Sequence, residues 1–342
     1  MLYGHKKSEF MNYNDSLISV IIPVYNASDN LKKCLDSLSG QKYRKLELLF
    51  IDDCSTDDSA AVILHFMNDS VNADLKMKFL QHSHNRGVAA ARNTGLDHAT
   101  GEYIYYLDAD DYIADNALQL MHDEMKQSNA DIVGCEWFLS FSKNERYMVQ
   151  PQVSNGKELF VKMCRGVMRW NLWLFLVRRS LYEVNDIRFT EGMNMGEDMM
   201  VMMKLALCSE KVSILRIPLY HYIQTKSDSL TKNWAKAYFE QITANVQMVE
   251  DYLKMNYPDN RFAEELNFLK LNIKLPLLIS LSTDDYKKWQ KWYPEANRSI
   301  MNNTDIAFRT RIIQLITAKH QYWLLKLYNL LVVKVVYGII YK

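Results

Sequence analysis

Residues 102–111 read EYIYYLDADD, a run of strand-forming residues that ends on three aspartates. The stretch 103–107 is typical of a strand buried on both faces. Asp108, Asp110 and Asp111 follow at once, although carboxylates this close repel one another and add nothing to a core. We therefore expect a cationic group beside them and a functional reason for their position.

Three more strands are predicted before this one. They are the apolar runs LISVIIP (17–23) and LELLFIDD (46–53) and the alternating run LKMKFLQ (75–81). Helical patterns separate them, the first starting at about Asp29 with Ser28 as its N-cap and the last covering 87–99. This alternation predicts right-handed βαβ units and therefore an α/β fold with a mostly parallel sheet.

Polar residues follow all four predicted strands, at the carboxyl ends where open α/β sheets bind ligands. Tyr25 and Asn26 follow the first strand, Asp53 follows the second, and residues 84–86 and 108–111 follow the third and fourth. We expect them to lie on one rim of the sheet. No GxGxxG follows the first strand, so a dinucleotide-binding fold is disfavoured.

The DxD sequence of Asp108 and Asp110 suits Mg²⁺ or Mn²⁺ held by few carboxylates together with ligand phosphates. The alternative is that Asp110 and Asp111 cap the helix predicted over 114–127. In HNRGVAAARNTG (84–95), Arg92 is expected to face the rim, either as a salt-bridge partner of the aspartates or as a ligand contact.

Two further acidic clusters precede helices. In IDDCSTDDS (51–59), the residues at 56–58 can cap the next helix, but Asp52 and Asp53 precede it by too many residues. In NMGEDMMVMMKLALC (194–208), Glu197 and Asp198 fall in the first helical turn, where the helix dipole alone favours acidic residues. The methionines of that helix are predicted to be core residues.

Composition limits the remaining classes. A net charge of +1 does not indicate a nucleic-acid partner. Five scattered cysteines without a CxxC pair favour free thiols in a cytoplasmic protein, and the N-terminus has no apolar run typical of a secretory signal. The sequence contains no stretch of 18 uncharged apolar residues, so a transmembrane helix is not predicted. From 306 to 342 there are six Lys or Arg and no acidic residue, so the end of the chain is basic.

Five segments together resemble the motifs of the family 2 glycosyltransferases, in the order found in that family. They are SVIIPVYN (19–26), IDDCSTDDS (51–59), NRGVAAARNTG (85–95), YLDADD (106–111) and GMNMGEDMM (192–200). The resemblance extends over about residues 17–225. It implies the GT-A fold and the inverting transfer of a sugar from a nucleotide-sugar, usually UDP-linked, with Mg²⁺ or Mn²⁺ as cofactor.

The resemblance also implies a role for individual residues. Tyr25 would pack on the nucleotide base, Asp53 would bond the base, and Asp108 would lie beside the ribose. Asp198 would be the general base and Glu197 its neighbour in acceptor binding. The resemblance implies nucleotide-sugar binding by Pro23, Tyr25, Asp53, Arg86 and Asp108. It implies metal binding by Asp110 and by His221, which lies in a segment (220–231) that would close over the diphosphate.

We expect a flexible N-terminus (1–16), a GT-A domain (17–232) and a helical region (233–342). In the tail, 319–342, lysines at 319, 326 and 334 fall within about 80° of one another on a helical wheel. Such a helix suits an anionic membrane surface, and the alternative is packing on the helical region or in a homodimer. Glycan or lipid-linked acceptors and a place on the cytoplasmic face of a bacterial inner membrane, in surface polysaccharide synthesis, follow by analogy with the family.

Two other functions remain open from the sequence. One is a nucleotide-sugar-binding relative without catalytic activity. The other is a haloacid-dehalogenase-like phosphatase, whose DxD motif also follows an apolar strand but usually the first strand rather than the fourth.

Overall fold

The computed structural model describes residues 16–224 and 236–331, without the side chains of 236–238. The predicted flexible N-terminus, apart from Ser16, lies outside the described residues. So do the predicted domain boundary at 232 and the end of the tail, 332–342.

Four parallel strands form one part of the sheet: β1 (Ile18–Val24), β2 (Leu46–Asp52), β3 (Lys76–Gln81) and β4 (Tyr103–Tyr106). Their order is β3-β2-β1-β4, so β1 lies between β2 and β4. The chain moves outward from β1 to β3 and then returns to the other side of β1. Such a reversal opens a crevice at the carboxyl ends of β1 and β4, which is where ligands bind in open α/β sheets.

Within the described residues, five more strands extend this sheet to nine: β5 (Tyr112–Ile113), β6 (Ile132–Ser140), β7 (Glu145–Met148), β8 (Phe175–Arg178) and β9 (Val212–Ile223). β8 pairs antiparallel with β4 and with β6, β7 pairs antiparallel with β6, and β5 with β9. The sheet is therefore mixed. The α/β class is confirmed, and the parallel arrangement expected from the sequence is limited to β1–β4.

The helices of the described residues are α1 (Ser28–Ser39), α2 (Ser59–Met67), α3 (Val88–His98), α4 (Ala117–Ser128), α5 (Gly156–Cys164), α6 (Arg179–Val184), α7 (Glu197–Cys208), α8 (Lys236–Asn256), α9 (Ala263–Ile273), α10 (Thr283–Lys291), α11 (Phe308–Ala318) and α12 (Tyr322–Leu331). Two predicted starts are wrong. The N-cap of α1 is Ala27 rather than Ser28, whose amide donates to Asp57, and α4 begins at Ala117 rather than at 114.

A buried glutamate ties the parallel strands together. The Glu47 side chain on β2 is fully buried and accepts hydrogen bonds from the Ser19 hydroxyl of β1 (2.6 Å) and the Thr100 amide (2.7 Å). Lys76 and Lys78 of β3 lie 2.6 and 3.5 Å from it. Burial raises the pKa of Glu47, but the hydrogen bonds outweigh burial and lower it to about 2. A charge inside a buried strand is therefore satisfied from three sides.

Contacts along the chain divide the described residues into two compact units. The first contains 16–148, 172–192 and 215–224, and the second contains 149–171, 193–214 and 236–331. The first unit holds β1–β8, and the second holds α5 and α7–α12. The predicted division at 232 stays a prediction.

The second unit has a core of its own. Lys274 is fully buried in it, 3.9 Å from the centre of the Trp289 ring, and donates to the carbonyl of Trp292 (2.9 Å) and to Asn297 (2.8 Å). The residues that share this core are Phe268, Leu271, Leu277, Leu278, Tyr286, Trp289, Ala296, Ile300 and Leu325.

The tail does not form one helix from residue 319. α11 ends at Ala318, and His320 adopts a left-handed conformation (φ 60°) that a continuing helix cannot accommodate. α12 then packs on the second unit: Leu325 is fully buried, and Asn329 donates to the carbonyls of Leu278 (2.7 Å) and Ser280 (3.0 Å). Packing on the helical region, the alternative considered for the tail, therefore holds for one face of α12.

In the described part of the chain, no helix combines the length and the apolar character needed to cross a bilayer.

Candidate active site

Side-chain hydrogen bonds join the loops that follow β1 and β2. Asn26 accepts from the amide of Thr56 (2.8 Å). Asp57 accepts from the amides of Ser28, at the start of α1, and of Ser59, at the start of α2 (both 3.0 Å). Burial raises the pKa of Asp57, but the hydrogen bonds from Ser59 and Ser28 lower it to about 2. These hydrogen bonds therefore hold the two loops together as one surface.

Tyr25 projects from this surface with 51% of its area exposed, while Pro23 is half-buried within β1. Asn26 and Cys54 on either side of the two strand ends have positive φ angles of 47° and 62°. Left-handed conformations cost a non-glycine residue free energy and cluster at binding sites. The exposed Tyr25 is thus followed directly by Asn26, one of the two residues in this costly backbone conformation.

The predicted base-binding residue Asp53 organises the loop after β3. It is buried, and its carboxylate accepts from the amides of Arg86 (2.8 Å) and Gly87 (2.7 Å). Its third partner is the ring of His82 (2.7 Å), whose other nitrogen lies 2.9 Å from the Thr94 hydroxyl. Sequence analysis did not predict a role for His82. A base would have to share the Asp53 oxygens with these donors, and its contact with Asp53 stays a prediction.

The guanidinium of Arg86 pairs with Glu191 (2.6 Å), another residue that the sequence did not indicate. The chain around Glu191 is held by Asn93, which donates to the carbonyl of Phe189 (2.8 Å) and accepts from its amide (2.9 Å). Both members of the Arg86–Glu191 pair are more than one-third exposed. Such pairs contribute little stability, so a ligand phosphate could replace Glu191 as the partner of Arg86.

The expected cation beside the aspartates is Arg92. Its side chain is buried and lies 3.3 Å from the carboxylate of Asp108. Asp108 is half-buried and Asp110 is exposed. The structure therefore pairs Arg92 with Asp108. A ligand contact of Arg92 stays a prediction.

Asp111 has a structural role instead. It is fully buried and accepts from the Tyr220 hydroxyl (2.7 Å) and the Ile223 amide (2.7 Å). Burial, followed by the charges of Asp110 and Asp108, raises the pKa of Asp111 well above its usual range. The helix-capping alternative for Asp111 is wrong, because its carboxyl group is used by β9 and α4 has no side-chain cap.

His221 is brought next to the DxD sequence by the pairing of β9 with β5. It stands opposite Tyr112, and the two rings stack with centroids 4.2 Å apart. Its Nδ1 lies 2.8 Å from a carboxylate oxygen of Glu145. A carboxylate on one ring nitrogen is the usual support of a histidine that ligates metal through the other. The metal role of His221 stays a prediction, and Nε2 is the atom that would perform it.

Tyr222 is a further residue of this surface that sequence analysis missed. Its ring stacks on the buried Trp173 with centroids 5.5 Å apart. Burial, followed by the charges of Asp111, Asp108 and Asp110, raises the pKa of Tyr222 to about 12. The alternation of YHYI (220–223) could have placed Tyr220 and Tyr222 on one face, but nothing in it indicates which face meets the aspartates.

The DxD carboxylates fit a metal that shares its ligands with a substrate. In residues 16–224 and 236–331, no group of three or more His, Cys, Asp and Glu side chains forms a metal site by itself. Mg²⁺ commonly binds through one or two carboxylates and completes its coordination with substrate phosphates and water. The two carboxylates of the exposed Asp110 and the half-buried Asp108 match that donor set.

The predicted base lies in the second unit. α7 begins at Glu197, directly after Gly196 in a left-handed conformation (φ 77°). Glu197 is buried and Asp198 half-buried, and the side-chain amide of Asn171 lies 3.5 Å from the Asp198 carboxylate. The methionines at 199, 202 and 203 are buried, as predicted for core residues. The catalytic role of Asp198 and the acceptor role of Glu197 stay predictions.

The order of these motifs on the sheet is matched by a known family. Residues 19–196 match glycosyl transferase family 2. The chain belongs to this family. Membership rules out the phosphatase alternative.

Two curated relatives illustrate the match in sequence. The chain is 27% identical over 272 residues to the uncharacterized glycosyltransferase EpsJ of Bacillus subtilis, with 77% of each chain covered. It is 26% identical over 217 residues to the poly(ribitol-phosphate) beta-N-acetylglucosaminyltransferase TarS of Staphylococcus aureus, covering 60% of this chain and 35% of TarS.

Solved structures confirm the GT-A fold. The structure of S. aureus TarS 1–349 in complex with UDP-GlcNAc matches with a TM-score of 0.65 at 18% identity, covering 92% of this chain and 89% of that one. The mannosyltransferase PcManGT of Pyrobaculum calidifontis, in complex with GDP-Man and Mn²⁺, matches with a TM-score of 0.54 at 18% identity, covering 93% and 85%.

Proposed function

We propose that this glycosyltransferase moves a sugar from a UDP-sugar to a hydroxyl group of a glycan or lipid-linked acceptor, with inversion at the anomeric carbon. The observation that carries the proposal is the position of Asp110, an exposed residue that follows the buried strand β4. Strand β4 pairs with β1, and the exposed Tyr25 directly follows β1. Carboxylate and aromatic ring are the groups that a metal-bound diphosphate and a nucleotide base need.

Donor binding would use the first unit. The ring of Tyr25 stacks on the base, whose N–H donates to Asp53, and Pro23 packs at the end of β1. Asp108, positioned by Arg92, accepts from a ribose hydroxyl. Arg86 leaves its exposed partner Glu191 and binds the diphosphate through charge-assisted hydrogen bonds.

Asp110 and Nε2 of His221 would hold Mg²⁺ or Mn²⁺. When bound, the ion neutralises the charge that develops on the diphosphate leaving group. Glu145 fixes the orientation of the His221 ring through Nδ1.

Asp198 would act on the acceptor. Its carboxylate takes the proton of the acceptor hydroxyl while that oxygen attacks the anomeric carbon from the side opposite the diphosphate. The new carbon–oxygen bond forms as the bond to the diphosphate breaks, which inverts the configuration. Glu197 accepts a hydrogen bond from a second acceptor hydroxyl.

Two points of context belong to the same proposal. A polymeric acceptor in bacterial polysaccharide synthesis is favoured by the relative TarS of S. aureus, a poly(ribitol-phosphate) beta-N-acetylglucosaminyltransferase. A cytoplasmic location is favoured by the five cysteines, all within the described residues and all free.

The test is a panel of UDP-sugars and GDP-mannose, with binding measured by calorimetry and nucleotide release measured with and without Mn²⁺. We expect one UDP-sugar to bind in the presence of Mn²⁺ and to release UDP faster when a glycan acceptor is added. Tight Mn²⁺-dependent binding without release for any donor and acceptor would support the non-catalytic alternative. If no nucleotide binds, the proposal is wrong.

A further inference from the structure

α12 has buried residues on one side and exposed apolar residues on the opposite side. Leu325 and Asn329 face the core of the second unit and are buried. At 100° per residue, Trp323, Leu327 and Leu330 lie within about 60° of one another on the other side of the helix. A helix at the surface of a globular protein normally has one apolar stripe and a polar opposite face.

The outward side of α12 is exposed in the structure. The exposed fractions are 64% for Trp323, 48% for Leu327, 41% for Leu330 and 54% for Leu331. Lys326 is the exposed charged residue of the helix and lies about 60° from Trp323 on the helical wheel. We call these five residues the α12 surface.

The segment bonded to α12 extends this apolar character. Asn329 donates to the carbonyls of Leu278 and Ser280, and the neighbouring Ile279 and Leu281 are 66% and 50% exposed. Asp284 and Asp285, at the start of α10, lie 3.7 and 3.5 Å from Lys287 and Lys288. These two carboxylates are thus already paired with lysines.

We infer that the α12 surface docks on an anionic phospholipid membrane. Charge selects this partner: residues 306–342 contain six Lys or Arg and no acidic residue, and Arg309, Lys319 and Lys326 are exposed. Trp323 and the leucines enter the boundary between head groups and acyl chains, and the lysine side chains extend towards the lipid phosphates. Exposed tryptophan is favoured at that depth because its ring is apolar with one polar N–H.

A second copy of the chain fits the same surface less well. Pairing about a two-fold axis would bring the Lys326 side chains of both copies into one interface, and the α12 surface itself contains no carboxylate to balance them. A membrane with anionic lipids supplies the missing negative charge.

The inference is tested by flotation of the full chain with vesicles of phosphatidylcholine, with and without phosphatidylglycerol. We expect binding only with phosphatidylglycerol. Raising the salt from about 50 mM to about 0.5 M should weaken this binding, because salt screens the attraction between the lysines and the lipid phosphates. Trp323→Ser combined with Leu327→Ser should reduce binding roughly tenfold or more, and Lys326→Glu should reduce it in anionic vesicles.

Val184→Ser combined with Met255→Ser is the matched control, because both residues are 82% exposed and lie outside the α12 surface. This control should bind vesicles like the parent protein, and both double variants should keep its melting temperature and its UDP binding. The inference is overturned if the parent protein ignores anionic vesicles at low salt or if the α12 variant binds them equally. It is also overturned if light scattering shows a dimer that only the α12 variant breaks, which would assign the surface to a second copy. Because UDP binding is measured separately, failure of docking and failure of the proposed function remain distinct.

Discussion

Asp110 and Asp111 are adjacent carboxyl groups in opposite surroundings. Asp110 is exposed at the end of β4, whereas Asp111 is buried and bonded to Tyr220 and Ile223. Burial and the neighbouring charges disfavour the ionised form of Asp111. The pair therefore separates a group that can serve a ligand from one that serves the fold.

The first prediction uses this contrast. Asp110→Asn keeps the shape but removes a charged oxygen ligand, and we expect it to weaken Mn²⁺-dependent UDP binding by at least about tenfold. Asp111→Asn replaces a group that is disfavoured as an anion, so UDP binding should stay within a few-fold of the parent. Calorimetric titration of UDP with and without Mn²⁺ measures both. Equal losses in the two variants would show that the DxD assignment is wrong.

The second prediction concerns Asp198. Asp198→Asn should leave UDP binding nearly unchanged and lower kcat by roughly 10²–10⁴-fold, the usual contribution of positioned proton transfer. Initial rates of UDP release at saturating donor and acceptor give kcat, and calorimetry gives donor affinity. If donor affinity fell in proportion to kcat, Asp198 would be a structural carboxylate at the start of α7 rather than the base.

At the scale of the elements, the sequence is most informative where burial leaves a pattern. β1, β2 and β4 are covered on both faces and read as continuous apolar runs, so their existence and their order along the chain are predictable. The start of α4 is not, because the residue expected to cap it is bonded instead to Tyr220, 109 residues along the chain. Partners at such separation leave no local pattern in the sequence.

The candidate site shows the same division. Tyr25, Asp53, Asp108 and Asp110 follow strand ends and can be selected from their position alone. His82, Glu191 and Tyr222 are known only from the residues they contact, on other elements of the fold. Likewise, the periodicity of 319–342 predicts one helix, but the break at His320 and the burial of Leu325 depend on packing in the second unit.

The third prediction belongs to the sheet. Glu47 joins β1, β2 and β3, and its pKa is lowered to about 2 from an ordinary value near 4.5. Its ionised form therefore stabilises the fold fully above pH 4.5, and this contribution is lost as the pH falls towards 2. We expect Glu47→Gln to reduce the free energy of unfolding at pH 7 by on the order of 2–3 kcal/mol.

Urea unfolding at a series of pH values measures this effect, and the difference from the parent should shrink between pH 4.5 and pH 2. Asp36→Asn is the control, because the Lys32–Asp36 pair is exposed (81% and 63%) and such pairs contribute about 0–1 kcal/mol. A difference that stayed constant down to the lowest pH would mean that the Glu47 charge is not what stabilises the sheet.

At the scale of the whole molecule, the predicted roles divide between the two compact units. The donor positions lie in the first unit, at residues 23, 25, 53, 86, 108, 110 and 221, and the predicted acceptor-side pair, Glu197 and Asp198, lies in the second. The basic residues of 306–331 belong to the second unit, which also carries the α12 surface. Donor binding and acceptor chemistry can therefore be perturbed separately.

The last prediction uses this separation in the complete chain. A ligand that binds only the native state stabilises it by about 2.7 kcal/mol at 100 times its Kd. For a chain of this size, that corresponds to a rise in Tm of roughly 4 °C. UDP with Mn²⁺ should produce such a rise in the parent and in Asp198→Asn. In Asp110→Asn, where UDP binding is weakened about tenfold or more, the rise should be about half as large or less. Scanning calorimetry with Mn²⁺ alone as the reference measures the shifts. Two outcomes would contradict the assignment of donor binding to the first unit. One is a Tm rise in Asp110→Asn equal to that of the parent, and the other is the loss of the Tm rise in Asp198→Asn.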